Sequence, residues 1–258
     1  MIKEKKYNKL LNNIGKITEK DSSIVIDVDN DALKKMLKKT GNILLINSKS
    51  IKESSKPEIS HVKFNGKTVE VKSKKPIIYH INNMDFENIT ICTDENVIFT
   101  NCNFIGGVNI LKANSLIFIN NNYMSLDDKY NESFFRGQNI KSIIFYDENI
   151  TDQNVAFRIK AREIQLLDTV LLDENGHTNF NCEVLQMNNS TIGGKTSFIE
   201  AETLAIAENS QINNTDNCII ETVIQYNDLN KNNAIKSPRI IYNGTLFMQM
   251  DKKKTKSK

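Results

Sequence analysis

Eight times along the chain the same beat returns: apolar, any, apolar, any, then Asn, Asp or Glu. With the first apolar position of each beat as zero, the fillers are Ile78, Val97, Leu116, Ile143, Ile164, Leu185, Leu204 and Ile224. Two residues on stand His80, Phe99, Phe118, Phe145, Leu166, Met187, Ile206 and Tyr226. Four on stand Asn82, Asn101, Asn120, Asp147, Asp168, Asn189, Glu208 and Asp228. Period-two alternation marks a strand with one buried face, and the fourth-place residues are of the kind that turns a chain. Each beat therefore predicts a short strand ending at a turn.

Successive zero positions lie 19, 19, 27, 21, 21, 19 and 20 residues apart. That is the length of one solenoid coil rather than of a helix hairpin, with room for about three short strands. Two further columns keep the register. Phe104, Tyr123, Ile150, Leu171 and Ile192 come seven after zero, and Ala113, Ile140, Ala161, Cys182 and Ala201 come three before it. Small residues in the latter column suit a tight bend packed inward. The expectation is an all-β fold, a parallel β-helix of about eight coils from residue 76 onward, each coil bonded to the next at ~4.8 Å.

The single long spacing marks an insertion from Ser125 to Asn139, and loops inserted in solenoids often carry function. Here Phe134, Phe135 and Arg136 set two aromatics beside a guanidinium. They are candidates for contact with a protein partner, the alternative being that the rings turn into the core. The outward positions of the main strand change character along the chain. Ile98, Ile117 and Ile144, then Gln165, Gln186, Ala205 and Gln225, come one after zero; Ile119, Tyr146 and Leu167, then Asn188, Ala207 and Asn227, come three after. The apolar half calls for a cover from the N-terminal elements or the 125–139 loop, or else for an oligomer contact through Ile98, Ile117 and Ile144. The amide half reads as solvent-facing sheet or a glycan surface.

Ahead of the coils, residues 3–14 place Tyr7, Leu10, Leu11 and Ile14 on one helical face ended by Gly15. A strand over Ser22 to Val28 follows. Next comes a helix carrying Leu33, Met36 and Leu37, N-capped by Asp29, Asn30 or Asp31 and stopped by Gly41, then a strand over Asn42 to Asn47. Such an α/β unit suits the end of a solenoid, whose last coil otherwise exposes core side chains and unpaired backbone. Asn65-Gly66 between alternating segments predicts a hairpin. The chain thus divides into an N-terminal cap and hairpin (1–75), the β-helix (76–250) and a disordered basic tail (251–258).

Charge is nearly balanced, with a net +3, which gives no case for nucleic acid or an anionic membrane surface. No apolar run is long enough to span a bilayer, and the N-terminus lacks the apolar core of a secretory signal. A cytoplasmic location, or export by a non-Sec route, is expected. Cys92, Cys102, Cys182 and Cys218 show no metal-site spacing and read as buried free thiols.

The order SSIVIDVDNDALKKMLKKTGNILLINSKSI, followed by coils such as ENITICTDENVIFTNCNFIGG, resembles the start of pectate-lyase-like proteins, single-stranded right-handed parallel β-helices. A right-handed coil with a strand–helix–strand cap is what the resemblance implies. The catalytic part does not carry over. Those lyases have an acidic Ca²⁺-holding cluster and a segment with Trp and Asp-His, whereas this chain has no Trp and three His (His61, His80, His177), none preceded by Asp. Ser-Pro-Arg at 237–239 is only a faint echo of a family segment.

Asp147 and Asp168 share a column in consecutive coils, with Glu148 and Asp152 nearby and Arg158, Lys160 and Arg162 alternating before the next strand. In a shared groove, Asp147, Glu148, Asp152, Arg158, Lys160 and Asp168 can hold a polysaccharide, bind Ca²⁺ or serve as paired acids of a glycoside hydrolase or lyase. As solvated turn and face residues they do none of this. No other cofactor, and no metal-ligand set, is expected. The leading reading is a non-catalytic β-helix interaction or structural protein presenting a loop and a sheet face to a protein partner; the alternative is a carbohydrate-binding or carbohydrate-active β-helix.

Overall fold

The computed structural model describes residues 14–51, 59–64, 67–72, 76–126, 134–151, 155–173, 178–207, 209–226, 234–236 and 240–242. The fold is an all-β parallel solenoid with one helix among the described residues, Asn30–Thr40. Each coil has three strand faces. The main face carries the repeated beat, for instance Ile77–Asn82 and Asn96–Thr100; a short second face follows, as in Asn122–Met124; and a third returns the chain, as in the first half of Phe157–Leu167. Parallel pairing joins equivalent strands of successive coils, so that Leu116, Ile143, Ile164, Leu185 and Leu204 stand in one row. Both additional columns also align: Tyr123 pairs with Phe104 and Leu171 with Ile192, while Ala161 pairs with Ile140 and Cys182.

Three differences from the expected register occur. The regular body has about five turns rather than eight. At its start Tyr79, not Ile78, pairs with Val97, so Ile81 takes the core place and His80 points outward, bonded to Asp27 (2.8 Å) and Thr100 (3.1 Å). Near its end Val223, not Ile224, pairs with Leu204. The cause is length: these coils are one residue shorter than the tally of apolar positions suggests, and a one-residue slip exchanges inside for outside.

The core is an aromatic pile. On the main face Phe99, Phe118 and Phe145 stack at 5.2 and 5.3 Å between centroids; on the third face Phe135 and Phe157 stack at 4.9 Å; on the second, Phe86, Phe104 and Tyr123 stack at 5.2 and 5.6 Å. Stacking follows from in-register parallel pairing, which sets like side chains one strand spacing apart. A row of left-handed residues turns each coil from its main to its second face: Asn83, Asn101, Asn120, Asp147, Asp168, Asn189 and Asn209, with φ between 44° and 54°. Asn and Asp tolerate this conformation. Asn83 and Asn209 take the corner where Asn82 and Glu208 were expected.

The cap forms as its sequence dictates. The Asp29 side chain accepts from the Ala32 N–H at the helix start, Gly41 closes the helix in left-handed conformation, and Leu33, Met36 and Leu37 are buried. Ile24–Val28 and Ile43–Ile51 extend the main and third faces in parallel. The strands flanking Asn65-Gly66 pair antiparallel, Phe64 with Lys67. Gly15–Glu19, where no strand was anticipated, pairs antiparallel with Ile24–Val28. There a Cβ on Gly15 would lie 1.8 Å from the Asp27 carbonyl oxygen. Gly15→Ala is therefore expected to cost about 1–3 kcal/mol, read as a lowered midpoint in urea; an unchanged midpoint would show that this strand contributes nothing to the cap. Cys92, Cys102 and Cys182 are free, and burial pushes the thiols of the latter two up to about 11 and about 12. No described helix is long and apolar enough to cross a membrane. The 3–14 helix, save Ile14, and the 251–258 tail lie outside the described residues.

Candidate functional site

The acidic and basic residues singled out by spacing do not gather in one groove. Asp147 and Asp168 are neighbours, as their shared column requires, but they are exposed corner residues. Their N–H groups bond to Leu167 and Asn188 carbonyls at 3.0 Å, and Asp168 accepts from the Asn189 amide at 2.9 Å. Arg158 and Lys160 are exposed on the third face, away from that corner. Asp152 lies outside the described residues. Phe134 and Phe135 are core residues, 3% and 0% exposed. The aromatic loop contact is therefore not formed: Phe135 pairs in register with Val108 and Phe157 and is drawn into the stack, while Arg136 continues that strand beside Arg158.

Glu148 is the largest departure. It is 1% exposed and lies inside the coil, in a column that spacing did reveal and that went unread: Cys102, Asn121, Glu148, Thr169 and Ser190, each five after zero, with Ser210 one residue later in a longer coil. The N–H of each member bonds to the side chain of the next. Cys102 donates to Asn121 (2.8 Å), Asn121 to Glu148 (3.1 and 3.2 Å), Glu148 to Thr169 (3.4 Å), Thr169 to Ser190 (3.0 Å) and Ser190 to Ser210 (3.2 Å). This ladder satisfies N–H groups that the corner leaves without a sheet partner. The Asn121 side-chain amide also donates to Glu148 at 2.8 Å. Burial pushes the Glu148 carboxyl up to about 8, and burial followed by the charge of Glu148 holds the Tyr123 phenol well above its usual range. A carboxyl closed inside the coil meets no substrate.

Two surfaces remain as candidates. The first is a trough of about 610 Å³ at the bend between third and main faces. Its floor is the small-residue column Ile140, Ala161, Cys182 and Ala201; its walls are Gln138, Asn139, Lys160, Asn181 and Glu200 on one side and Arg162, Glu183 and Glu202 on the other. Four coils at ~4.8 Å make it ~14 Å long. Some walls pair along the axis, Arg162 with Glu183 at 2.9 Å and Asn181 with Glu200. Of the expected groove residues only Lys160 lines it. The acidic wall was missed because small residues were read as inward packing alone, although small side chains at a bend also open the outside. Among the described residues no three His, Cys, Asp or Glu side chains converge as a metal site.

The second is the main face itself. Seven successive strands offer three outward positions each: a first column of Ile78, Asn96, Ser115, Ser142, Glu163, Val184 and Thr203, then His80 and Asn82, Ile98 and Thr100, Ile117 and Ile119, Ile144 and Tyr146, Gln165 and Leu167, Gln186 and Asn188, Ala205 and Ala207. None is buried, and Tyr146 is 42% exposed, so no described element lies over them. The expected cover is thus absent among the described residues; Gly15–Glu19 extends the edge of this sheet instead. Of these twenty-one places one is Lys, Arg, Asp or Glu, namely Glu163, which accepts from the Gln165 amide at 2.7 Å, in a chain 25% charged; Asp27 adds a second carboxylate, bonded to His80, on the strand that extends the face. Composition alone would put about five charges among twenty-one places, and solvent-facing sheet usually takes more. No protein-family profile, curated protein or solved structure matches the chain.

Proposed function

We propose that the chain is a non-catalytic interaction protein whose solenoid offers its main sheet face to a protein partner. The observation that carries the reading is the charge-poor face with its apolar stripe Ile98, Ile117, Ile119, Ile144, Tyr146 and Leu167, over which no element lies among the described residues. A rigid sheet supplies such a surface with little ordering cost on binding, and depletion of charge is the compositional signature of an interface core. The strand–helix–strand cap and the stacked corner support a relation to the pectate-lyase-like superfamily in architecture, not in chemistry. Carbene footprinting tests the reading on the full chain, alone and with an extract of the cells that make it. Protection confined to the stripe is expected, and Ile144→Lys should abolish it. Labelling of the stripe under every condition overturns the reading.

The trough supports a second reading, a binding site for a polar glycan, because charged and amide groups converge along it over four coils. On a glycan array, with uronate-polymer cleavage run with and without Ca²⁺, binding or turnover lost in both Lys160→Ala and Glu200→Ala would favour the trough. Signals unchanged by either substitution would remove it.

A further inference from the structure

We infer that Thr100 is an activated hydroxyl nucleophile that takes an apolar acyl group from a thioester donor. The inference goes beyond the interaction reading, which gives the main face no chemistry, and stands or falls apart from it. Its ground is a hydrogen-bonded line across three successive strands, Ile24–Val28, Ile77–Asn82 and Asn96–Thr100. Asp27 Oδ1 lies 2.8 Å from His80 Nδ1, and His80 Nε2 lies 3.1 Å from Thr100 Oγ1. Register builds the line: Asp27 pairs with His80 and His80 with Ile98, so the imidazole reaches diagonally to the side chain two residues on. The polar ladders elsewhere on the surface join amide to amide, as Asn120 to Asn101 (2.8 Å) and Asn122 to Asn103 (2.9 Å). Here a carboxylate, an imidazole and a hydroxyl follow one another instead.

That order has a chemical consequence. A carboxylate only accepts, so Asp27 takes the Nδ1 proton of neutral His80, and the Nε2 lone pair faces the Thr100 hydroxyl, which donates to it. An alcohol bonded to a base that a third group orients is the arrangement of an activated nucleophile. The neighbours suit acyl transfer. Asn82 pairs in register with Thr100, and its Oδ1 accepts from the Asn101 amide (3.5 Å), so its NH₂ branch is the one that can donate to an acyl oxygen. On the other side Ile119 pairs with Thr100 and Ile117 with Ile98, an apolar bed for the acyl chain. In the step, Thr100 Oγ1 adds to the thioester carbonyl carbon while its proton passes to His80 Nε2. The oxyanion meets the Asn82 amide. Collapse breaks the C–S bond, His80 returns the proton to the leaving thiolate, and an ester on Thr100 and a free thiol result.

Octanoyl and acetyl thioesters of N-acetylcysteamine, incubated with the full chain and followed by intact-mass and fragment-ion spectrometry, test the inference. One octanoyl group per chain is expected, on Thr100, with the acetyl donor slower by at least about tenfold, the worth of about two buried CH₂ groups. Thr100→Val should abolish the adduct and Thr100→Ser, a less hindered hydroxyl, should keep it. His80→Gln should slow it by about 10²–10⁴, the usual contribution of a general base. Asp27 is a positioning residue: Asp27→Asn keeps its size and a hydrogen bond but donates to Nδ1, which moves the His80 proton onto Nε2, so the rate should fall although a merely structural role would leave it unchanged. Asp27→Glu should recover much of it. Circular dichroism must show each variant folded, as substitutions on an open face allow. Thr100 labelled no faster than other exposed hydroxyls, or labelled at the parent rate in His80→Gln, overturns the inference. Neither result touches the interaction reading, which fails only if the stripe stays open to carbene under every condition.

Discussion

Glu148→Gln is expected to raise thermal stability above neutrality and to erase a pH dependence that the parent protein carries. In the folded chain burial holds the Glu148 proton up to about 8, while an unfolded Glu releases it near 4.5. Between those values the folded state binds the extra proton, so stability falls as pH rises from about 4.5 to about 8, and this group adds no further change above that. At about 1.4 kcal/mol per tenfold change in proton affinity, the full swing is on the order of 5 kcal/mol. Glutamine keeps an oxygen for the Asn121 N–H and side-chain amide, the donors that Glu148 now accepts from, and has no proton to lose. The parent and the variant should therefore melt alike near pH 4.5. At pH 8 the variant should melt higher by on the order of 10 °C, from the usual 2–4 °C per kcal/mol for a chain of this size. Parallel melting curves across that range would mean that Glu148 is solvated and ionised in the native state. The contrasting variant Glu148→Ala leaves the Asn121 N–H without its acceptor inside the coil and should destabilise at every pH, by about 1–3 kcal/mol.

What the sequence made legible follows from what repeats. Column positions such as Phe104 or Ala161 recur once per coil, so their inward placement could be read by parity, and the cap could be read because Asp29, Leu33, Met36, Leu37 and Gly41 obey local helix rules. Glu148 was misplaced for a physical reason: a lone carboxylate is normally a surface group, and the evidence that its column is internal lies in its neighbours Cys102, Asn121, Thr169 and Ser190 rather than in itself. Register at Tyr79 and Val223 slipped because two adjacent apolar residues offer either parity. Phe134 and Phe135 sat beside an insertion, where sequence does not say at which residue the coil resumes. The two candidate surfaces were unequally visible. The apolar stripe of the main face was apparent as a column, but the trough depends on how walls from four coils meet at a bend, a property of curvature rather than of spacing.

Phe118→Ala is expected to be the most damaging single truncation in the main-face stack and to change how the protein unfolds, not only how readily. Phe118 is fully buried and touches four rings: Phe99 and Phe145 stacked at 5.2 and 5.3 Å, Phe104 and Phe135 edge-on at 5.6 and 5.5 Å. Removing a buried Phe costs about 3–5 kcal/mol, and the coils above and below are pinned by backbone ladders that limit collapse into the hole. A solenoid is held together by nearest-neighbour interfaces, so its cooperativity is only as strong as its weakest coil junction. The stack reaches Phe99 on one side and Phe145 on the other, so the truncation weakens two junctions at once and separates the capped N-terminal coils from the rest. Urea unfolding followed by far-UV circular dichroism should show a single transition in the parent and two in Phe118→Ala, the earlier one belonging to the coils beyond Phe145. Phe118→Leu, which fills much of the volume, should restore a single transition at a modestly lower midpoint. One sharp transition in Phe118→Ala, with less than about 1 kcal/mol lost, would show that the aromatic stack does not couple the coils and that the hydrogen-bonded ladders alone carry their cooperativity.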